Sequence, residues 1–368
     1  MLNVLNQMRK PHVFVVAGAG ASKPFGFPLT HELTQPVLSR LSKLLKEPVL
    51  WAGSGGNPTS PTRQQLLDEV LRTATSSPGR GFNFERWYGS LESQFADLSA
   101  KDRNAPDYDE RFFLLSVAMH AILGVVLEQI DAQSQRYRAE YSELVERQRA
   151  FFERLGQSAD FTVLNLNYDD VLFDALGGDP GTMGFVPQAA SGDDASEQLF
   201  SFAPPRTFFE VQPRRLLHLH GHYRLRTDGG SGRMSARDAQ AQWNRTHVGQ
   251  YDQSTHRLRP VFPVISGDEK PWAMGERPFL SYYGAATIAA HHADSVLVIG
   301  YGDGDAHVGK LLEIAGAGDR TGYVQINPAC TQSSLPARFL SLGMGVDQVF
   351  RSDELTERVV SKLVTAHD

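Results

Sequence analysis

The sequence predicts an α/β protein: a Rossmann-like, doubly wound parallel sheet with a large α-helical insertion. Two observations predict this class. Short runs of β-branched and aromatic residues alternate with segments of helical periodicity. The first such run, residues 13–16, leads into the glycine-rich turn at residues 17–22 (AGAGAS). A buried strand that enters such a turn is typical of nucleotide-binding α/β units.

The composition excludes several classes of protein. Of the 368 residues, 41% are hydrophobic and 21% charged, which suits a globular chain and is too apolar for a disordered one. The net charge of −6 argues against nucleic-acid binding across the whole surface, and we expect no direct nucleic-acid binding. A single cysteine, Cys330, excludes a disulfide framework and a cysteine-rich zinc module.

The sequence also predicts a cytoplasmic protein without a membrane segment. We find no secretory signal before the first strand. The most apolar stretch, residues 112–127, is shorter than the roughly 20 residues that span a bilayer, and Ser116 and His120 interrupt it. This stretch is predicted to be a buried core helix.

The first half of the chain divides into a short α/β start and a helical insertion. A helix is predicted over 30–45 from its apolar spacing, and a loop over 53–61. Residues 66–152 are mostly helical in pattern, most clearly at 111–130 and 140–155. The predicted domains are therefore a discontinuous Rossmann-like domain, residues 1–48 and 156–368, and a mainly helical insertion, residues 49–155.

The second half returns to alternating strands and helices. The predicted strands are 161–166, 215–220, 295–299 and 322–326, with a possible short strand at 261–265. The predicted helices are 170–176, 282–292, 306–315 and 353–366. Two polar, glycine-containing segments interrupt the pattern: 177–213, and 224–259, which we expect to be a mobile flap or an irregular insertion.

The turn after the first strand can bind a nucleotide. Gly18 and Gly20 would let the backbone approach a diphosphate, and the N-terminus of a following helix would favour its charge. Lys23 stands where the usual dinucleotide fingerprint has its third glycine. A tight structural turn without a ligand is the alternative.

The strand at 161–166 also ends in polar residues, Asn165, Asn167 and Asp169. The carboxyl end of a buried strand faces the ligand-binding crevice of an open α/β sheet. Asn167 and Asp169 are therefore candidate site residues. The alternative is that Asp169 or Asp170 caps the next helix.

Three histidines, His218, His220 and His222, follow one another at alternate positions. Strand alternation would place all three on one face, where they could bind a metal ion. However, Gly221 suggests that the strand has already ended, and the motif contains no carboxylate. A general-base role for His220 is the preferred interpretation, with a structural histidine as the alternative.

Two further turns end predicted strands. Residues 300–307 (GYGDGDAH) lead from a buried strand into a helix, and the Asp-Gly-Asp spacing lacks the rest of a calcium-binding loop. Asp305 there could simply cap the helix. Asn327 ends another strand on the same expected edge and could bind a ribose or base, or only form the turn before Pro328.

Taken in order, these motifs resemble the sirtuin-like superfamily, most closely the bacterial sirtuin-like domains of antiviral defence systems. The resemblance covers the discontinuous sheet-forming segments and implies NAD binding in a Rossmann-like site, with cleavage of the nicotinamide–ribose bond. It implies that Gly18, Ala19, Gly20 and Ser22 cradle the diphosphate, and that Asn167 and Asp169 contact the nicotinamide ribose side. It also implies that His220 is the catalytic histidine. The residues implied to lie by the adenosine half are Gly300, Tyr301 and Asn327.

One departure from that superfamily bears on the reaction. Its protein deacylases carry a four-cysteine zinc module, whereas this chain has only Cys330. The resemblance therefore implies an NAD glycohydrolase that requires no metal, with the role of an anti-phage effector that depletes NAD. The alternatives are an NAD-dependent deacylase or ADP-ribosyltransferase, and a non-catalytic NAD- or ADP-ribose-binding subunit. The implied partners are further copies of the chain, or a separate ATPase or sensor.

Overall fold

The computed structural model describes residues 10–44, 65, 68–69, 72, 84–99, 108–187, 199–203, 205–210, 212–227, 234–237, 249–252, 257–260, 278–302, 304–316, 322–328 and 339–365. The strands are β1 (His12–Ala17), β2 (Asp160–Asn165), β3 (Phe185–Pro187), β4 (Leu199–Phe202), β5 (Arg214–His218), β6 (Leu225–Thr227), β7 (Met234–Arg237), β8 (Gly249–Asp252), β9 (Arg257–Pro260), β10 (Ser295–Ile299), β11 (Gly322–Ile326) and β12 (Phe339–Leu342). The predicted loop at 53–61 and the possible strand at 261–265 lie outside the described residues.

The helices, in chain order, are α1 (Thr30–Leu44), α2 (Phe84–Ser99), α3 (Tyr108–Glu140), α4 (Ser142–Ser158), α5 (Val171–Ala175), α6 (Phe279–His292), α7 (Ala306–Gly316), α8 (Val346–Arg351) and α9 (Asp353–Val364). Single 3-10 turns lie at Ala19–Ala21, Lys23–Phe25, Pro180–Met183 and Arg206–Phe209.

The central sheet has six strands in the order β12-β11-β10-β1-β2-β5, and each neighbouring pair is parallel. This is the strand order of a Rossmann sheet, in which the chain first moves outward from β1 to one edge and then outward from β10 to the other. The predicted fold class is confirmed. The reversal places a crevice at the carboxyl ends of β1 and β10, which is where open α/β sheets bind ligands.

Strand burial follows from helices on both faces of the sheet. All six residues of β1 and all five of β10 are buried, as expected for central strands of a parallel sheet. Helices α4 and α9 pack on one face, and α6 and α7 cover the other. The N-terminus of α9 is fixed by Ser352, whose side chain accepts a hydrogen bond from the Leu355 backbone N–H at 3.2 Å.

The helical insertion is built around one long helix. Helix α3 runs for 33 residues and contains the apolar stretch 112–127, which is predicted to be a core helix. Helices α1 and α2 pack against α3. Among the described residues, no helix combines the length and the apolar character needed to cross a bilayer. The division of the chain into the two domains given above stays a prediction.

The two polar segments contain strands that lie outside the central sheet. Parts of 177–213 and 224–259 form an antiparallel sheet, β3-β4-β7-β6, and a hairpin, β8-β9. The irregular interpretation of 224–259 is therefore wrong for its described residues, because short antiparallel strands can pair their backbones without any apolar alternation in sequence. The rest of 224–259 lies outside the described residues. Strand β12 forms one edge of the central sheet, and helix α8 follows it in the chain. Neither element was predicted from the sequence.

Candidate active site

The glycine-rich turns after β1 and β10 pack directly against each other. The backbone N–H of Gly18 donates to Ile299 O at 3.0 Å, and that of Gly20 to Gly300 O at 2.9 Å. A Cβ on Gly18 or Gly20 would lie 2.8 Å from the backbone of the facing turn. The structural alternative for these glycines is thus supported, since the turn–turn contact alone requires them.

The same two turns line a cavity of about 960 Å³ at the carboxyl edge of the sheet. This volume lies within the range of ligand-binding clefts. The predicted site residues that line it are Gly18, Ala19, Gly20, Asn167, His220, Gly300, Tyr301 and Asn327. The remaining two, Ser22 and Asp169, are buried behind the lining. The contacts of each residue with a ligand stay predictions.

Asn167 connects the end of β2 to the glycine-rich turn. Its Nδ2 donates to the backbone O of Gly18 and to Oγ of Ser22, both at 2.9 Å. Its backbone N–H donates to Oδ1 of Asn165 at 3.1 Å. Because Nδ2 is occupied by these two acceptors, Oδ1 is the polar atom of the side chain that can serve a ligand in the cavity.

Asp169 is not part of the cavity lining and contacts residues next to it. Its Oδ1 accepts a hydrogen bond from the Val171 backbone N–H at 3.0 Å, at the start of α5, and its carboxyl also accepts one from Ser22. The capping alternative is thus supported for Asp169. Burial raises the pKa of Asp169 to about 7, because desolvation outweighs the two hydrogen bonds.

Asp169→Asn is expected to stabilise the protein at neutral and higher pH. An unfolded Asp ionises near pH 4, whereas the folded carboxyl keeps its proton up to about pH 7. Across this window the folded state binds more protons, so wild-type stability falls as the pH rises, by roughly 1 kcal/mol per pH unit from this group. Urea unfolding of both proteins at about pH 5 and about pH 8 measures the effect. A difference in unfolding free energy that does not change between these pH values would contradict it.

The three histidines do not share one face. Strand β5 ends at His218, two residues before the predicted end, and Gly221 has a φ of 97°, so strand alternation does not extend through His220 and His222, as Gly221 suggests in the sequence. His218 and His222 are in ring contact at 4.4 Å between centroids, within the core. Burial lowers the pKa of both, which keeps them neutral. Only His220 lines the cavity.

A buried acidic residue anchors the segment that carries His220. Asp170 accepts a hydrogen bond from the Tyr223 hydroxyl at 2.7 Å and forms an ion pair with Arg224. His222 Nε2 lies 3.0 Å from its Oδ1. Burial alone would raise the pKa of Asp170, but Arg224 and His222 hold it well below the usual range. These contacts fix the residues that follow His220, while strand β5 holds those that precede it, and His220 itself lines the cavity.

His307, a residue that the sequence analysis did not assign, lies against His220 in the cavity. The two Nε2 atoms are 3.0 Å apart, and Oδ1 of Asp305 lies 4.0 Å from Nε2 of His220. His307 is in the first turn of α7, two residues after Asp305. The motif at 300–307 contains both residues, but nothing in the sequence indicates that this turn faces the end of β5.

Tyr301 and Asn327 hold the turn after β10 in place. The Tyr301 hydroxyl donates to the Asp305 backbone O at 3.1 Å and accepts from the Asp305 N–H at 3.0 Å. Asn327 Nδ2 donates to the Tyr301 backbone O at 2.8 Å. Both residues therefore shape the wall of the cavity through the backbone of this turn.

Exposed basic side chains belong to the lining of the cavity. Lys23, Arg86 and Arg351 are exposed and belong to its lining, and the sequence analysis did not assign them. Lys23 Nζ is 2.6 Å from Glu32, so part of its charge is already neutralised. Glu85 and Asp347 also line the cavity. A phosphate-containing ligand in the cavity would meet these cations.

Comparison with known proteins gives distant structural matches. No protein-family model and no curated protein matches the chain. Similar solved structures include a Sir2 homologue mutant in complex with 2'-O-acetyl ADP ribose (16% identity, TM-score 0.45, 100% of both chains covered). A second Sir2 homologue mutant, in complex with ADP ribose, is 16% identical with a TM-score of 0.42, covering 99% of this chain and 97% of that one.

A third similar structure is Sir2Tm bound to a propionylated peptide, 11% identical with a TM-score of 0.42 and 97% of both chains covered. The fold is established by the strand order of the central sheet itself.

Proposed function

We propose that the protein is an NAD hydrolase that cleaves the nicotinamide–ribose bond to give nicotinamide and ADP-ribose. The observation that carries this proposal is the meeting of His220 and Asn167 with the two glycine-rich turns in one cavity, at the reversal point of a Rossmann sheet. These are residues to which the sequence resemblance assigns the reaction. The cavity volume suits a dinucleotide-sized ligand, and three exposed cations, Lys23, Arg86 and Arg351, belong to its lining.

The chemistry of the bond fits these residues. Nicotinamide leaves as a neutral molecule with the electron pair of the C–N bond, so no strong general acid is needed. Positive charge develops at the ribose carbon, as in glycoside cleavage. The oxygen of a water molecule forms the new bond to that carbon, and an imidazole such as His220 takes its proton. Oδ1 of Asn167 can orient the water or a ribose hydroxyl without titrating.

Product analysis after incubation with NAD tests the proposal. Equal amounts of free nicotinamide and ADP-ribose, without any protein acceptor, are the expected products. Nicotinamide release only in the presence of an acylated peptide would indicate a deacylase instead, and ADP-ribose attached to protein would indicate a transferase. Binding of NAD without release would indicate a regulatory subunit.

The biological setting is part of the same proposal. The resemblance to antiviral-defence domains supports an effector that depletes cytoplasmic NAD when triggered. It also supports assembly with further copies of this chain, or with a separate ATPase or sensor subunit. The product assay is therefore run both on the protein alone and with candidate partners.

Asn167→Ala is expected to lower the rate of NAD cleavage by about 10²-fold while some NAD binding remains. The substitution removes both the amide oxygen that is proposed to orient the ligand and the hydrogen bonds that hold the glycine-rich turn. Calorimetric titration and product analysis together measure binding and turnover. The matched control is Tyr168→Phe, which removes the neighbouring hydroxyl that contacts Glu85 at 3.3 Å and keeps the amide. Undiminished turnover of the alanine variant would show that Asn167 serves only the turn.

A further inference from the structure

Three potential metal ligands converge beside the cavity. They are Nε2 of His220, Nε2 of His307 and a carboxylate oxygen of Asp305, and all lie within 4.8 Å of one another. The His220 side chain is 3% exposed, and that of Asp305 is 17% exposed. This set differs from the trio His218, His220 and His222, because it draws on the ends of two strands that are distant in sequence.

The backbone segments that carry these ligands are held in place by hydrogen bonds. The Tyr301 hydroxyl binds both backbone groups of Asp305, and the carbonyl of Asp305 accepts hydrogen bonds from Val308 and Gly309 at 3.0 Å to begin α7. His220 lies between segments anchored by β5 and by Asp170. A metal site needs such preorganisation, since loosely held ligands lose affinity through the entropy of ordering them.

We propose that His220, Asp305 and His307 bind one divalent transition-metal ion, with Zn²⁺ as the best fit. Two imidazoles and a carboxylate, without thiolates, form a ligand set that Zn²⁺ accepts, with the fourth position left to water from the cavity. Zn–N bonds of about 2.0–2.1 Å in a tetrahedron place ligand atoms about 3.3–3.4 Å apart. The two histidine nitrogens at 3.0 Å need to separate slightly, and Oδ1 of Asp305 at 4.0 Å needs to approach by a side-chain rotation.

An ion in this site blocks the hydrolase. The lone pair of His220 that coordinates the metal cannot accept a proton from water, so the loaded protein lacks its general base. This consequence rests on the proposed function, whereas metal binding itself does not. Zinc is thus an inhibitor of NAD cleavage, and a chelator such as EDTA leaves the activity intact or raises it.

The test begins with metal binding by the full chain, independently of activity. Chelator-treated protein is titrated with Co²⁺, whose visible absorption reports tetrahedral nitrogen and oxygen ligation, and with Zn²⁺ by calorimetry. We expect one ion per chain. His307→Ala and Asp305→Asn should each weaken binding by at least about 10–100-fold, because loss of a direct ligand costs no less than loss of its supporting partner. The matched control is His291→Ala, on the exposed end of α6, which should bind as the wild type does.

Two results would overturn the site. One is the absence of a Co²⁺ spectrum in the wild type, which leaves only a direct hydrogen bond between the two histidines. The other is wild-type affinity in His307→Ala, which assigns the ion to a different place. If the site binds Zn²⁺ but loaded and metal-free proteins release nicotinamide at the same rate, the inhibitory role is wrong. If the metal-free protein binds Zn²⁺ but never cleaves NAD under any condition tested, the hydrolase proposal fails and the metal site stands.

Discussion

Replacing His220 with alanine is expected to lower the rate of NAD cleavage by about 10²–10⁴-fold, the usual cost of losing a general base. His220 is the one member of the histidine trio that lines the cavity, and its neighbours on both sides are held by β5 and Asp170. His220 lines the cavity, so truncation of its side chain enlarges an existing space. The variant should therefore stay folded.

The measurement is nicotinamide release by equal concentrations of the two proteins, together with their thermal unfolding. His291→Ala serves as the control, because it removes an exposed imidazole that is remote from the cavity lining. Wild-type turnover by a folded His220→Ala protein would remove His220 from the reaction. If His220→Ala loses turnover because it unfolds, His220→Gln is tested in its place, since glutamine keeps a polar side chain of similar reach.

Gly300→Ala is expected to destabilise the protein by roughly 2–5 kcal/mol, combining the cost of a left-handed backbone with that of overpacking. Gly300 has a φ of 58°, which side chains with a Cβ rarely adopt. A Cβ there would lie 2.3 Å from the Ala21 backbone N and from the Gly20 carbonyl carbon. Both turns must separate to admit it, so NAD binding should be lost with the stability.

Urea unfolding at neutral pH measures this effect. Gly309→Ala is the matched control, because Gly309 lies inside α7 with open space around it. Alanine there should be neutral or stabilising by up to about 1 kcal/mol, as expected from helix propensity. If Gly300→Ala were as stable as Gly309→Ala, the two turns would not be packed as described.

The parallel sheet could be predicted because its strands carry local signals. The runs at 13–16 and 295–299 are apolar over their whole length, and each ends in glycines. Such continuous apolar runs between helices are typical of central parallel strands. Strand β12 and helix α8 are too short to produce a periodic pattern, and β12 is paired only on one side. The strands of the small antiparallel sheet are only three or four residues long, which is too short to show a periodic pattern between segments rich in glycine and polar residues.

The sequence predicts site residues that directly follow a recognisable strand, but it does not predict contacts between residues of two distant motifs. Asn167 and His220 follow strands whose ends are visible in the sequence, and both line the cavity. The pairing of His220 with His307 depends on how the turn after β10 faces the end of β5, across 87 positions of sequence. Strand β5 ends at His218, two residues before the predicted end at 220, in front of the turn that Gly221 indicates in the sequence.

The most direct test of the central claim is the product balance of NAD incubated with the full chain, alone and with candidate partners, and in parallel with His220→Ala. The account predicts nicotinamide and ADP-ribose in equal amounts from the wild type, without a protein or peptide acceptor, and at least about 10²-fold less from the variant. NAD that binds the wild type but is recovered intact in every condition would contradict it.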